Sequence, residues 1–176
     1  MALIKIMTPD NAEGEIKEVY DEFIKTAGMV PKPFQMYSAS PPLFQLQKSV
    51  INYFMNHPHL KFTLLAAIRF SVASDNDFNY CMNLNTDFLK FAGLTEEQIG
   101  EVKNNPEKSA LDEKDKAMLL FVLKVLKKPE SIEKSDIDAM HELGWTDQDI
   151  FDAAIHGAGM LSLGKMFKAF KMDEDS

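Results

Sequence analysis

The chain has 176 residues, 45% of them hydrophobic, which is enough to build a core without disulfides or structural metals. Its 27 acidic residues outnumber 19 basic ones for a net charge of −8, which argues against a nucleic-acid backbone or an anionic membrane surface as partner. A single cysteine, Cys81, excludes an intramolecular disulfide and a two-thiol redox cycle within one chain, and points to a reducing compartment.

The first residues, Met1 to Met7, carry neither a basic leader nor a long apolar run, and no stretch reaches the length of a membrane span, so the cytoplasm is the expected location. From Asp10 to Thr26 the residues Ile16, Val19, Tyr20, Phe23 and Ile24 form an apolar stripe at helical spacing. Gly28 and the Pro31-Lys-Pro33 run end that helix. Pro41-Pro42 can open a second one, which runs to His57-Pro58. Leu60 to Ala73 is almost continuously apolar and long enough to be a buried helix rather than a strand. A polar turn, Ser74-Asp-Asn-Asp77, can cap the next helix, Phe78 to Ala92, which Gly93 closes.

Gly93-Leu-Thr95, leading into Ile99, reappears 51 residues later as Gly144-Trp-Thr146, leading into Ile150. In both, a helix-ending glycine precedes a threonine able to cap the following helix. The same offset pairs Leu60 with Leu111, Ala66 with Ala117, Phe70 with Phe121 and Asp87 with Asp138. The pattern reads as a weak internal duplication in which segments 60–99 and 111–150 are related units. After Thr146 the last helix extends to about Phe170 with Gly157, Gly159 and Gly164 inside it. Interior glycine costs roughly 0.5–1 kcal/mol against alanine, so close approach of another helix is expected there. The acidic tail, Met172 to Ser176, reads as frayed. These signals add up to a compact all-α chain of about seven helices, forming a single domain over residues 1–176.

Asn11 to Tyr20, then Gly28-Met-Val-Pro31, Ser40-Pro41, Tyr80-Cys81 and Ala92-Gly-Leu-Thr95 together resemble the carboxymuconolactone decarboxylase and alkylhydroperoxidase D family over nearly the whole chain. The resemblance implies an all-α fold and a homo-oligomer, a trimer or a hexamer built from trimers. The family's working motif is a glutamate, a Cys-x-x-Cys pair twelve residues on, and a histidine four residues past the second cysteine. Counting from Cys81 as that second cysteine, the first falls on Phe78, the histidine on Asn85 and the glutamate on Ala66. Phe78 cannot be a resolving thiol, Ala66 cannot take a proton, and Asn85 does not titrate near neutral pH. The motif is degenerate.

Cys81 lies near a helix N-terminus, where the macrodipole lowers a thiol from its ordinary value of roughly 8.5, while Asp75 and Asp77 oppose that effect. The competing reading is a small buried hydrophobe. Arg69, the only arginine, shares a helix face with Ala66 and Asn76, and could hold a carboxylate ligand in the vestigial pocket or a structural ion pair. His156 sits among small residues and reads either as a pocket lining or as a core histidine. His57 and His59 flank a proline without further ligands, so no metal site is expected, and nothing calls for a cofactor. The dispersed methionines read as core filler.

The leading functional expectation is therefore a non-peroxidatic scaffold or small-molecule-binding protein that has lost the dithiol centre. The alternative is a one-cysteine peroxidase in which Cys81 becomes a sulfenic acid and an external thiol restores it. A decarboxylase or hydratase of a cyclic organic acid, the other chemistry the family name implies, lacks an identifiable base.

Overall fold

The glycines and prolines that punctuate the sequence mark the turns of the chain in the computed structural model, which describes residues 2–172. Residues 173–176, most of the acidic tail, lie outside the described residues. Among those described there is no strand, and nine α-helices follow in order: α1 Gly14–Ala27, α2 Lys32–Met36, α3 Pro41–Met55, α4 Phe62–Asp75, α5 Asn79–Phe91, α6 Glu96–Asn104, α7 Glu113–Lys127, α8 Lys134–Glu142 and α9 Asp147–Ala169. The two beyond the expected seven are short. The Pro31-Lys-Pro33 run starts α2 as well as ending α1, because proline suits a first helical turn. Helix α8 is set off from α7 by a tight turn at Pro129–Ser131.

The chain divides into two compact units, residues 1–56 with 165–176, and residues 57–164. In the first, the apolar stripe of α1 packs with α2 and α3 around Ala12, Ile16, Val19, Tyr20, Val30, Phe34 and Phe44. Phe34 and Phe44 stack with centroids 4.7 Å apart, and Tyr20 meets both edge-on at 6.3 and 5.8 Å. Such pairs add about 0.5–1.5 kcal/mol each beyond area burial. The Tyr20 hydroxyl donates to the Met7 carbonyl, so its polar end is satisfied inside this cluster.

The second unit is organised around α4, which packs against α5, α6 and α7. Leu64 to Ile68 and Phe70 to Ala73 are all buried, which leaves no solvent face over those turns. That is the structural meaning of the almost continuous apolar run. Helix boundaries also repeat at the 51-residue offset: α4 and α7 begin at 62 and 113, α5 and α8 end at 91 and 142, and α6 and α9 begin at 96 and 147. Gly93 and Gly144 both take left-handed backbone, φ 93° and 78°, which admits glycine without a Cβ penalty.

Both threonines cap as expected. The Thr95 hydroxyl accepts from Gln98 N while the Gln98 side chain accepts from Thr95 N. At the corresponding turn the Thr146 hydroxyl accepts from Asp149 N at 3.2 Å and donates to Asp149 Oδ2 at 2.7 Å. The polar turn at residues 74–77 does not cap α5, whose start has no side-chain cap; Asn76 reaches back to the Val72 carbonyl instead.

The two caps differ in burial, and their loss should differ in cost. Thr95 is exposed, so Thr95→Ala should cost about 1 kcal/mol, whereas Thr146→Ala also strips a donor from the 2% exposed Asp149 and should cost roughly 1–3 kcal/mol. Urea unfolding of the two variants against wild type checks the order.

Candidate functional site

Ala66 on α4 and Phe78, Cys81 and Asn85 at or on α5 are the positions that the family resemblance singles out. Ala66 is fully buried on α4. Phe78 stands just before α5, with its backbone N–H on the Ala73 carbonyl at 2.9 Å closing the turn between the helices. Cys81 is 2% exposed and packs in an apolar cluster with Val72, Ala73, Phe78 and Met160. Its position in the first turn of α5 is as expected, and the residue is largely shielded from solvent. Asp75, which the sequence placed as a neighbouring charge, is paired with Lys127 at 2.6 Å.

The Phe78 ring fills this region, and Gly164 of α9 is what admits it. A Cβ built at Gly164 would stand 2.1 Å from Cδ2 and 2.2 Å from Cε2 of that ring. At Gly157 a Cβ would meet Val122 Cγ1 at 2.7 Å. The interior glycines thus answer side chains rather than a neighbouring helix backbone. Gly159 is the exception, with nothing within 4 Å.

Asn85 is buried one turn beyond Cys81, and its amide links α5 to α4. Nδ2 donates to the Cys81 carbonyl at 2.8 Å, which turns Oδ1 toward Arg69, whose Nε donates to it at 2.7 Å. Arg69 Nη1 lies 2.9 Å from His156 Nε2 on α9. Arginine has only donors, so that imidazole nitrogen is the acceptor and the ring proton sits on Nδ1, directed at the Leu65 carbonyl. Burial, reinforced by the guanidinium, pushes the His156 imidazole down from 6.5 to about 3, so the ring is neutral at physiological pH. Burial alone lowers the Arg69 guanidinium to about 10, which leaves it charged. Its carbon lies 5.7 Å from the Phe88 ring centroid, a cation–π contact, and Phe88 meets Phe62 edge-on at 5.6 Å.

The structure therefore brings Arg69, Asn85 and His156 together and leaves Asn76 at the end of α4, bonded to the Val72 carbonyl. His57 and His59 each take an aspartate of α9. His57, with a fully buried side chain, sets Nε2 3.2 Å from Asp152 and accepts the backbone N–H groups of His59 and Leu60 on Nδ1. His59 Nδ1 lies 2.9 Å from Asp149. Among the described residues no group of three or more His, Cys, Asp or Glu is placed to hold a metal ion, and no helix is long and apolar enough to cross a membrane.

Two surface grooves of about 280 Å³ lie elsewhere. One is lined by Phe70, Met82, Lys90 and Lys103, the other by Phe121, Lys124, Asp136 and Met140, and neither is lined by Cys81, Arg69, Asn85 or His156. The sequence offers Arg69, Asn76 and His156 as a possible pocket but does not link Asn85 to Arg69, and Phe88 and the role of Gly164 do not stand out at all. The interior glycine was the one available signal.

These helices define an alkylhydroperoxidase D-like fold, shown by likeness to solved structures. An uncharacterized peroxidase-related protein from Ralstonia eutropha, an alkylhydroperoxidase AhpD core, superimposes with a TM-score of 0.83 at 22% identity over 97% of this chain and 90% of that one. Another uncharacterized peroxidase-related protein, from a Silicibacter species, gives 0.83 at 19% identity over the same shares. The debrominase Bmp8, in complex with 2,3,4-tribromopyrrole, gives 0.70 at 16% identity over 100% of this chain and 91% of that one. No family model matches the sequence, and no curated protein matches it.

Gly164→Ala should destabilise the chain by about 1–3 kcal/mol, because the ring must shift from a filled site. The loss should shrink in the double variant with Phe78→Ala, so a double-mutant cycle in urea reads the coupling. His156 supplies a pH test. The unfolded chain takes up its proton as pH falls through about 6.5 while the folded chain holds the ring neutral to about 3, so this residue lowers stability progressively across that window. The His156→Gln variant, followed by urea midpoint, should lose less stability than wild type between pH 7 and 4.

Proposed function

We propose that this chain is a non-peroxidatic protein on the alkylhydroperoxidase D-like fold, acting as a scaffold or small-molecule-binding protein. The observation that carries the reading is the Phe78 ring seated on Gly164, where the family resemblance puts the first thiol. A dithiol cycle needs a second thiol within bonding reach of the first, and the chain has no second cysteine. The residues that would move protons are also replaced. Ala66 offers no acid or base, and Asn85 is committed to Cys81 and Arg69. A one-cysteine cycle would require peroxide to reach a sulfur that is 2% exposed, which weighs against it. That the debrominase of similar fold holds a small aromatic ring supports a small-molecule role on this architecture.

We further propose a homo-oligomer, a trimer or a hexamer. Phe151 and Ile155 of α9 are 65% and 49% exposed, and Gly159, one turn on, has no atom near its missing Cβ. An apolar ridge ending in a glycine suits close helix packing against a second copy.

Peroxide consumption with a dithiol reductant tests the chemistry. Wild type and Cys81→Ser should both be inactive, and turnover by wild type that Cys81→Ser abolishes would replace this reading with the one-cysteine enzyme. Light scattering coupled to gel filtration tests the assembly; elution as a monomer near 19.9 kDa would overturn it.

A further inference from the structure

We propose that Arg69, held by Asn85 and His156 against Phe88, is the recognition point for a small organic monoanion whose apolar body lies on the Phe62–Phe88 pair. The inference deepens the small-molecule reading above and rests on it only in treating the vestigial centre as a binding site.

Charge sets Arg69 apart. Lysines of the same unit that make ion pairs do so with nearby acids: Lys61 with Asp112 and Asp115, Lys90 with Glu96, Lys124 with Asp136, Lys127 with Asp75, and Lys134 with Asp138. Most of these are exposed pairs of small energetic weight. Arg69 is more enclosed, on a helix otherwise buried over two turns, yet among the described residues no carboxylate pairs with it. Its hydrogen-bond partners are an amide oxygen and a neutral imidazole nitrogen. A cation withdrawn from water without a counter-charge is costly, and an anion arriving there gains more than it would at an open surface.

Geometry favours the same reading. The Asn85 amide is oriented by the Cys81 carbonyl and the His156 ring by the Leu65 carbonyl, so both neighbours hold the guanidinium in one place. Nε and Nη1 are engaged, and Nη2 makes no hydrogen bond to the described residues. That nitrogen offers donors suited to a carboxylate or sulfonate oxygen, and the residue keeps part of its surface in contact with solvent. Phe62 and Phe88, both half-buried, supply an apolar wall beside the charge. A fixed donor next to an aromatic wall selects an anion with a flat or apolar body over a fully hydrated inorganic ion.

The experiment is calorimetric titration of the full chain with sodium benzoate, using benzyl alcohol as the uncharged analogue and sodium chloride as the bare anion. Benzoate should bind, with benzyl alcohol and chloride at least about tenfold weaker. Asn85→Asp is the decisive variant: it places an internal carboxylate on Arg69 Nε with almost no change in shape. It gives up the donor to the Cys81 carbonyl, so folding is checked by circular dichroism, and in the folded variant benzoate should bind at least about tenfold more weakly. Arg69→Met should abolish binding. Should either variant fail to fold by circular dichroism, His156→Glu supplies the same counter-charge from α9 and should give the same loss. Absence of benzoate binding to wild type overturns the proposal. So does benzoate affinity unchanged in a folded variant, or benzyl alcohol or chloride binding as well as benzoate. Peroxide turnover in the same samples would sink the non-peroxidatic reading, whereas the anion site stands or falls on the titration alone.

Discussion

Helix α4 is buried on nearly every face, and the other features of the second unit follow from that constraint. A helix surrounded by α5, α6 and α7 can carry only residues that need no water. Leucine, alanine, isoleucine, phenylalanine and valine meet the requirement, and Arg69 does not. It is tolerated because Asn85 and His156 satisfy two of its nitrogens and Phe88 faces its carbon. Any one of those partners on an exposed helix would be an ordinary surface residue. Against a guanidinium drawn partly out of water each becomes specific, because solvent only partly replaces an unmade hydrogen bond there.

The same burial shapes what surrounds α4. Ala66 puts no carboxylate into the interior from its turn of that helix. The Asn85 amide both accepts from Arg69 and donates to the Cys81 carbonyl, a pair of bonds fixed in direction. The Phe78 ring occupies volume that only a glycine on α9 leaves free. Cys81 packs in a cluster with Val72, Ala73 and Met160. Ala66, Phe78 and Asn85 contribute hydrocarbon or a neutral amide, and they are mutually consistent as packing.

The helical class, the long buried helix, the glycine stops and the threonine caps were all legible in the sequence. They depend on spacing of 3 to 4 residues and on local backbone chemistry, which a linear reading preserves. Thr95 and Thr146 cap as their positions after Gly93 and Gly144 dictate. Helix α2 was not legible, because a Pro-x-Pro run carries the same signal whether it ends one helix or begins another. The polar turn before α5 departs from expectation for a related reason: Asn76 can bond forward or back, and local sequence does not decide which.

The sequence by itself determined which side chains are available, because composition is the same in any fold: one cysteine, with phenylalanine, alanine and asparagine at the other positions that the family resemblance singles out. Only the tertiary structure decided which side chains meet. Arg69 and Asn85 are 16 residues apart and His156 lies 87 beyond Arg69, so no local pattern could show that they converge. Likewise Phe78 and Gly164 become partners only when α9 crosses the start of α5. Absence is a property of composition, whereas a preorganised charge depends on distances that exist only once the chain has packed.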